Sequence, residues 1–163
     1  MFHRVTAAAA FVAAVTLTTG TARLAHADVS RGVISAFTGQ IVLTKDDLPE
    51  GKNDKDTIAK IKAAQLKTVE GTDNDKVMYW HFHYTAFLTR TGSANLKLEF
   101  YTDDKDHKYV ANQSLSGIDP KNNVISGDIS INEDEGLTKG KAYEVRLETE
   151  KDVVVAKIVA TFK

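Results

Sequence analysis

Between Lys76 and Arg90 the even positions Met78, Trp80, Phe82, Tyr84, Ala86 and Leu88 are nearly all apolar, and on an extended backbone they fall on one side. This pattern predicts a strand with a core face. The opposite side carries Val77, Tyr79, His81, His83, Thr85, Phe87 and Thr89, a mixture that tolerates water, a covering segment or a ligand. Any chemistry in the chain is expected on that second face.

The N-terminal residues read as an export signal. Arg4 gives a basic start, a weakly apolar run extends from Val5 to Ala22, and Ala25-His26-Ala27 has the small-x-small form of a cleavage site. Cutting is expected after Ala27. Thr6, Thr16, Thr18, Thr19 and Gly20 dilute the run below the roughly 20 strongly apolar residues of a spanning helix, so no stable membrane insertion is expected. The product is placed in the periplasm or outside the cell. Residues 28–163, 136 of the 163, then form one domain of ordinary size. With Arg4 and Arg23 removed, 19 basic residues face 22 acidic ones, a balance of −3 that gives no electrostatic reason to bind nucleic acid or anionic lipid. The chain has no cysteine, which excludes a disulfide framework and thiol catalysis.

Taken in order, Ser35 to Thr44 is expected to be a first strand through Phe37, Ile41, Val42 and Leu43, with Gly39 as a bulge or bend. Lys45 to Asp56, containing Pro49 and Gly51, reads as a loop. Lys55 to Leu66 is the one helix expected. Asn53, Asp54 or Asp56 is positioned to cap it, and Ile58, Ile61 and Leu66 form a narrow apolar stripe that would cover a sheet face or an open end of the core. The run Asp73-Asn74-Asp75 lacks the glycine and distant glutamate of a calcium loop and reads as a turn.

Leu96, Leu98 and Phe100 alternate with Lys97, Glu99 and Tyr101, as in a strand buried on one face. Lys108 to Leu115 reads as an edge strand. In Val124 to Ile131, Gly127 sits between Ile125 and Ile129, which predicts a bulge or a large neighbour filling the space. Tyr143 to Phe162 reads as a hairpin turning at Glu150-Lys151-Asp152, with Val154, Ala156, Ile158, Ala160 and Phe162 inward. About seven short strands at this spacing predict an all-β antiparallel sandwich with one inserted short helix.

One segment carries a family likeness. Leu137-Thr138-Lys139-Gly140-Lys141-Ala142-Tyr143-Glu144-Val145 resembles the Leu-x-Pro-Gly-x-x-Tyr-x-Val corner of fibronectin type III and related immunoglobulin-like domains, with Lys139 where the family has proline. The resemblance implies an immunoglobulin-like sandwich in which the Tyr143 hydroxyl bonds upstream backbone and Trp80 fills the centre. It implies nothing about activity.

His81 and His83, two apart, project from one strand face as a ligand pair does in β-built metal sites, and Asp103 and His107 join them if the following strand is a hairpin partner. Zinc or copper would be the metal. Two histidines fall short of the three or four ligands a site needs, so half-exposed sheet residues are the plainer expectation. No Gly-x-Ser-x-Gly elbow, His-Glu-x-x-His helix, phosphate-cradling loop or dinucleotide fingerprint occurs, and the carboxylates cluster in turns. The expected role is therefore a non-enzymatic, cofactor-free module that binds an envelope protein, a peptide or a glycan, or is structural. Its ligand face would include Tyr79, Phe87 and Tyr101. A metal-binding or metalloenzyme domain built on His81 and His83 is the alternative.

Overall fold

The computed structural model describes residues 29–163; the expected signal segment lies outside them. The elements run α1 (Arg31–Phe37), β1 (Gln40–Thr44), α2 (Asp54–Ala64), β2 (Thr68–Val69), β3 (Gly71–Asn74), β4 (Val77–Phe87), β5 (Leu96–Thr102), β6 (Tyr109–Leu115), β7 (Val124–Asn132), β8 (Lys141–Thr149) and β9 (Val154–Phe162), with a 3-10 turn at Glu133–Glu135. The fold is β-rich, as the alternating segments require. Its strands form one mixed sheet of nine, curled into a half-barrel, where two facing sheets of about seven strands were expected.

The curl follows from how β4 is shared. One of its edges pairs with β1 at His83 to Phe87 and with β3 at Val77 to Trp80, while the other pairs with β7 from Tyr79 to Phe87. The order continues from β1 through β9, β8 and β5 to β6, which is an edge strand as expected. Two short parallel contacts, β1 with β9 and β2 with β9, close the seam. Parallel pairing needs a long crossover, so the last strand can complete the sheet only after most of the chain has been placed.

The even residues of β4 point inward. Phe162 lies at the centre of the concave side, with the rings of Trp80, Phe82, Phe100 and Tyr143 edge-on to it at centroid distances of 5.9, 5.8, 6.2 and 5.7 Å. Offset and edge-on rings are the arrangement aromatic quadrupoles favour. Trp80 Nε1 donates to the Lys163 carbonyl at 3.0 Å, which satisfies the one polar atom of a fully buried indole. The space predicted over Gly127 is taken by Tyr84, whose ring would lie 3.1 Å from a β-carbon there. Burial, with the charge of Asp128 adding to it, pushes the Tyr84 phenol up. Tyr143 is buried, and its hydroxyl accepts a hydrogen bond from the Thr138 backbone N–H at 2.8 Å, so the upstream corner contact is present.

Three local expectations are corrected. Ser35 to Phe37, expected as the start of a strand, are instead the last turn of the helix at residues 31–37: Ser30 caps it through Val33 N–H, and Val33 and Phe37, four apart, present one apolar stripe. Gly39, at φ +80°, is the left-handed residue that turns this helix into β1 and is not a bulge. Asp73 and Asn74 belong to β3, which turns into β4 through Asp75 and Lys76 at φ +52° and +72°.

The expected helix is present as Asp54–Ala64, capped by Asn53, while Leu66 leaves it to join the main core. In the C-terminal hairpin a register shift at Leu147/Glu148 leaves Val154 42% exposed instead of inward. α1 and α2 lie over the convex side of β1 and β4. There Val33, Phe37, Ile61, Val42 and Phe87 form a second, smaller apolar cluster.

Candidate functional site

The two strand histidines share a face but not a fate. His81 is exposed, with Nε2 3.3 Å from the Ser130 hydroxyl. His83 is 6% exposed, and its Nδ1 lies 3.0 Å from Asp128 Oδ1 and 3.6 Å from Asp47 Oδ1. Their neighbour across the ladder is β7, not β5. β1, β9 and β8 stand between β4 and β5, so Asp103 and His107 lie far along the sheet from His81 and His83. Among the described residues no group of three or more His, Cys, Asp or Glu side chains is placed to hold a metal ion. Sequence reasoning missed Asp47 and Asp128 because only the β4–β7 register and the approach of a loop bring them to His83.

The expected ligand face is likewise divided. Phe87 is fully buried beneath α1, its ring 5.1 Å from that of Phe37, so it is removed from any ligand surface. Tyr79 is half-buried on β4, and Tyr101 is half-buried on β5 within a polar network. There the Tyr101 hydroxyl donates to Glu99 at 2.7 Å, His107 stacks on its ring at 5.2 Å, and the Arg146 guanidinium lies 4.5 Å from the ring centre. Arg146 also donates to Glu144 and to His107 and approaches Glu148 at 3.6 Å, while Lys157 donates to Glu144 at 3.0 Å.

Each charge in the network answers another. Burial works to raise the Glu144 carboxyl, but hydrogen bonds from Lys157 and Arg146 outweigh it and hold the group below the usual glutamate range. Glu148 is pushed up by burial and by the charge of Glu99. The Tyr101 phenol is pushed up to about 12, first by its bond to Glu99 and then by burial. Its donors are committed to its own acceptors, so this face is closed on itself and offers a ligand little.

A third place is open. α1, α2 and the loop Lys45–Asn53 enclose a cleft of about 340 Å³, at the small end of the range for ligand pockets. Its apolar wall is Val33, Leu48, Pro49 and Ile61; Glu50 and Asp54 are its charged members. Contacts between α1 and α2, and between the loop and α2, fix the walls. The Ser30 hydroxyl donates to Asp54 Oδ1 at 2.7 Å, and Gly32 permits the approach, since a β-carbon there would fall 2.0 Å from Asp54 Oδ2.

The loop is pinned to the first turn of α2. Gly51 N–H donates to Thr57 Oγ1 at 3.0 Å and Lys52 N–H to Asp56 Oδ2 at 2.9 Å. A β-carbon at Gly51 would lie 2.3 Å from the Thr57 nitrogen. The Lys52 N–H, then Lys60, hold the Asp56 carboxyl below its usual range. Lys60 is spent on Asp56 at 3.2 Å and on the Glu50 carbonyl at 3.0 Å. The signals for this cleft, Pro49, Gly51 and the Asn53 cap, are visible in the sequence as loop punctuation; of the helix that forms its other wall, the sequence pattern covers only Ser35 to Phe37, and as strand. Compared with protein-family models and with curated proteins, the sequence matches none.

Proposed function

We propose that this chain is a non-enzymatic binding module of the periplasm or extracellular space, holding its ligand in the cleft between α1, α2 and the Lys45–Asn53 loop. The observation that carries the proposal is the contrast in filling. The concave side of the sheet is occupied by its own aromatic rings, whereas the helical cover leaves about 340 Å³ between pinned walls. A peptide end or side chain suits the space better than a glycan, because among the described residues no aromatic ring lines the cleft for a sugar to stack on. Export from the cytoplasm is part of the same proposal and rests on the Arg4 to Ala27 pattern. The immunoglobulin-like likeness enters only through the Tyr143 corner, a structural feature shared by domains of many functions.

Methyl-resolved NMR tests the site. A library of short peptides and small apolar compounds is expected to shift the methyl signals of Val33, Leu48 and Ile61 in a saturable way while leaving Val145, in the main core, unmoved. Thr57→Trp, which fills the cleft from its half-buried rim, is expected to abolish those shifts. Saturable shifts that map instead to the Tyr101 face, or none on Val33 and Ile61 across the library, would overturn the assignment.

A further inference from the structure

We infer that the cleft selects ligands in which an apolar side chain sits beside an ammonium group, as at the free amino terminus of a peptide beginning with an aliphatic residue. This rests on the cleft being the binding site and adds the ligand class. Among the described residues the lining contains two carboxylates, Glu50 and Asp54, and no basic side chain. Lys60, beside the cleft on α2, is already engaged by Asp56 and by the Glu50 carbonyl. Asp54 stands in the first turn of α2, and the Ser30 hydroxyl donates to one of its oxygens.

The apolar wall of Val33, Leu48, Pro49 and Ile61 supplies the other half of the complement. A ligand carboxylate or phosphate placed there would meet two like charges. An ammonium group would meet two opposite ones, in a position that water still reaches. Exposed ion pairs are individually weak, so the preference over an uncharged analogue is a modest one, about three- to ten-fold.

Three probes of one shape separate the possibilities: leucinamide, which carries the ammonium; N-acetyl-leucinamide, which does not; and 4-methylpentanoate, which is anionic. Binding is read from the Val33 and Ile61 methyl signals of the purified protein. Leucinamide is expected to bind roughly three- to ten-fold more tightly than the acetylated probe, with the anion weakest and the preference shrinking as salt rises. Asp54→Asn, which keeps the acceptor for Ser30, is expected to bring the leucinamide preference to within about two-fold while the acetylated probe binds as before. A purely structural role for Asp54 would move all three probes together. Equal binding of the charged and acetylated probes overturns the charge selectivity and leaves the cleft as the site; no methyl shift with any probe overturns both.

Discussion

The convex side of this sheet is finished in two opposite ways. Over β1 and β4 the outward residues Val42 and Phe87 are apolar and are sealed by two helices that contribute Val33, Phe37 and Ile61. Over β5, β8 and β9 no helix is laid down among the described residues. The outward residues there include Glu99, Tyr101, Glu144, Arg146, Glu148 and Lys157, which close over one another beside the exposed Val159. Apolar surface left in water is unfavourable by about 25 cal/mol per Å², so the first half demands a cover; the second needs only charge pairing. The cover is what creates a cleft, because a loop and two short helices cannot tile a curved surface without a gap. Function is proposed at that gap rather than on the polar half, where Arg146 is already satisfied.

This contrast is open to direct attack. The largest effect is expected from Phe87→Ala, which empties a fully buried ring site between Phe37 and β1; a loss of about 3–5 kcal/mol in urea unfolding is expected. A loss below about 1 kcal/mol would mean that the helices are a loose flap and not a second core. Arg146→Met comes next, at about 1–2 kcal/mol near neutral pH, because it leaves Glu99, Glu144 and Glu148 facing one another without the guanidinium, though close to solvent.

The sign of its pH dependence is fixed. Without Arg146, Glu144 loses one of the two cations that hold it down and Glu148 loses the charge that opposes its rise, so the deficit is full above the glutamate range and shrinks as acid protonates them. A deficit independent of pH would assign the loss to packing of the arginine stem. The smallest effect on stability is expected from Glu99→Gln, within about 0.5 kcal/mol at neutral pH, yet it should change titration plainly. The Tyr101 phenol, pushed up to about 12 by Glu99, holds stability that is present below the ordinary tyrosine pKa and lost as pH rises through 12. In the variant, the ultraviolet phenolate signal of this tyrosine should appear at lower pH, and an unchanged signal would dismiss the bond as a determinant.

Much of the fold was legible wherever the deciding contact is near in sequence or follows from strand periodicity. The even face of β4 is inward because Met78 to Leu88 alternate, α2 starts at Asn53 because that side chain caps Asp56 N–H, and a large ring lies over Gly127. The Tyr143 bond to Thr138 spans only five positions. The site was much less legible. Ser35 to Phe37, the end of α1, reads as strand because Phe37 continues the apolar run of Ile41 to Leu43, and nothing local shows that it pairs with Phe87, fifty residues on. The proposed grouping of His81, His83, Asp103 and His107 assumed adjacent strands, and the sheet puts three others between them.

By itself the sequence determined which face of β4 turns inward, that a helix follows the Pro49 and Gly51 loop, and that no disulfide holds the chain, since each is a property of side-chain chemistry and short-range periodicity. The tertiary structure alone decided that the strands join into one curled sheet, that Phe87 is capped while the β8 face stays open, and that a cleft remains between α1, α2 and the loop. Strand order and the neighbours of an outward face depend on pairings between distant segments, and the same alternating pattern satisfies many such pairings equally well until the whole chain is packed.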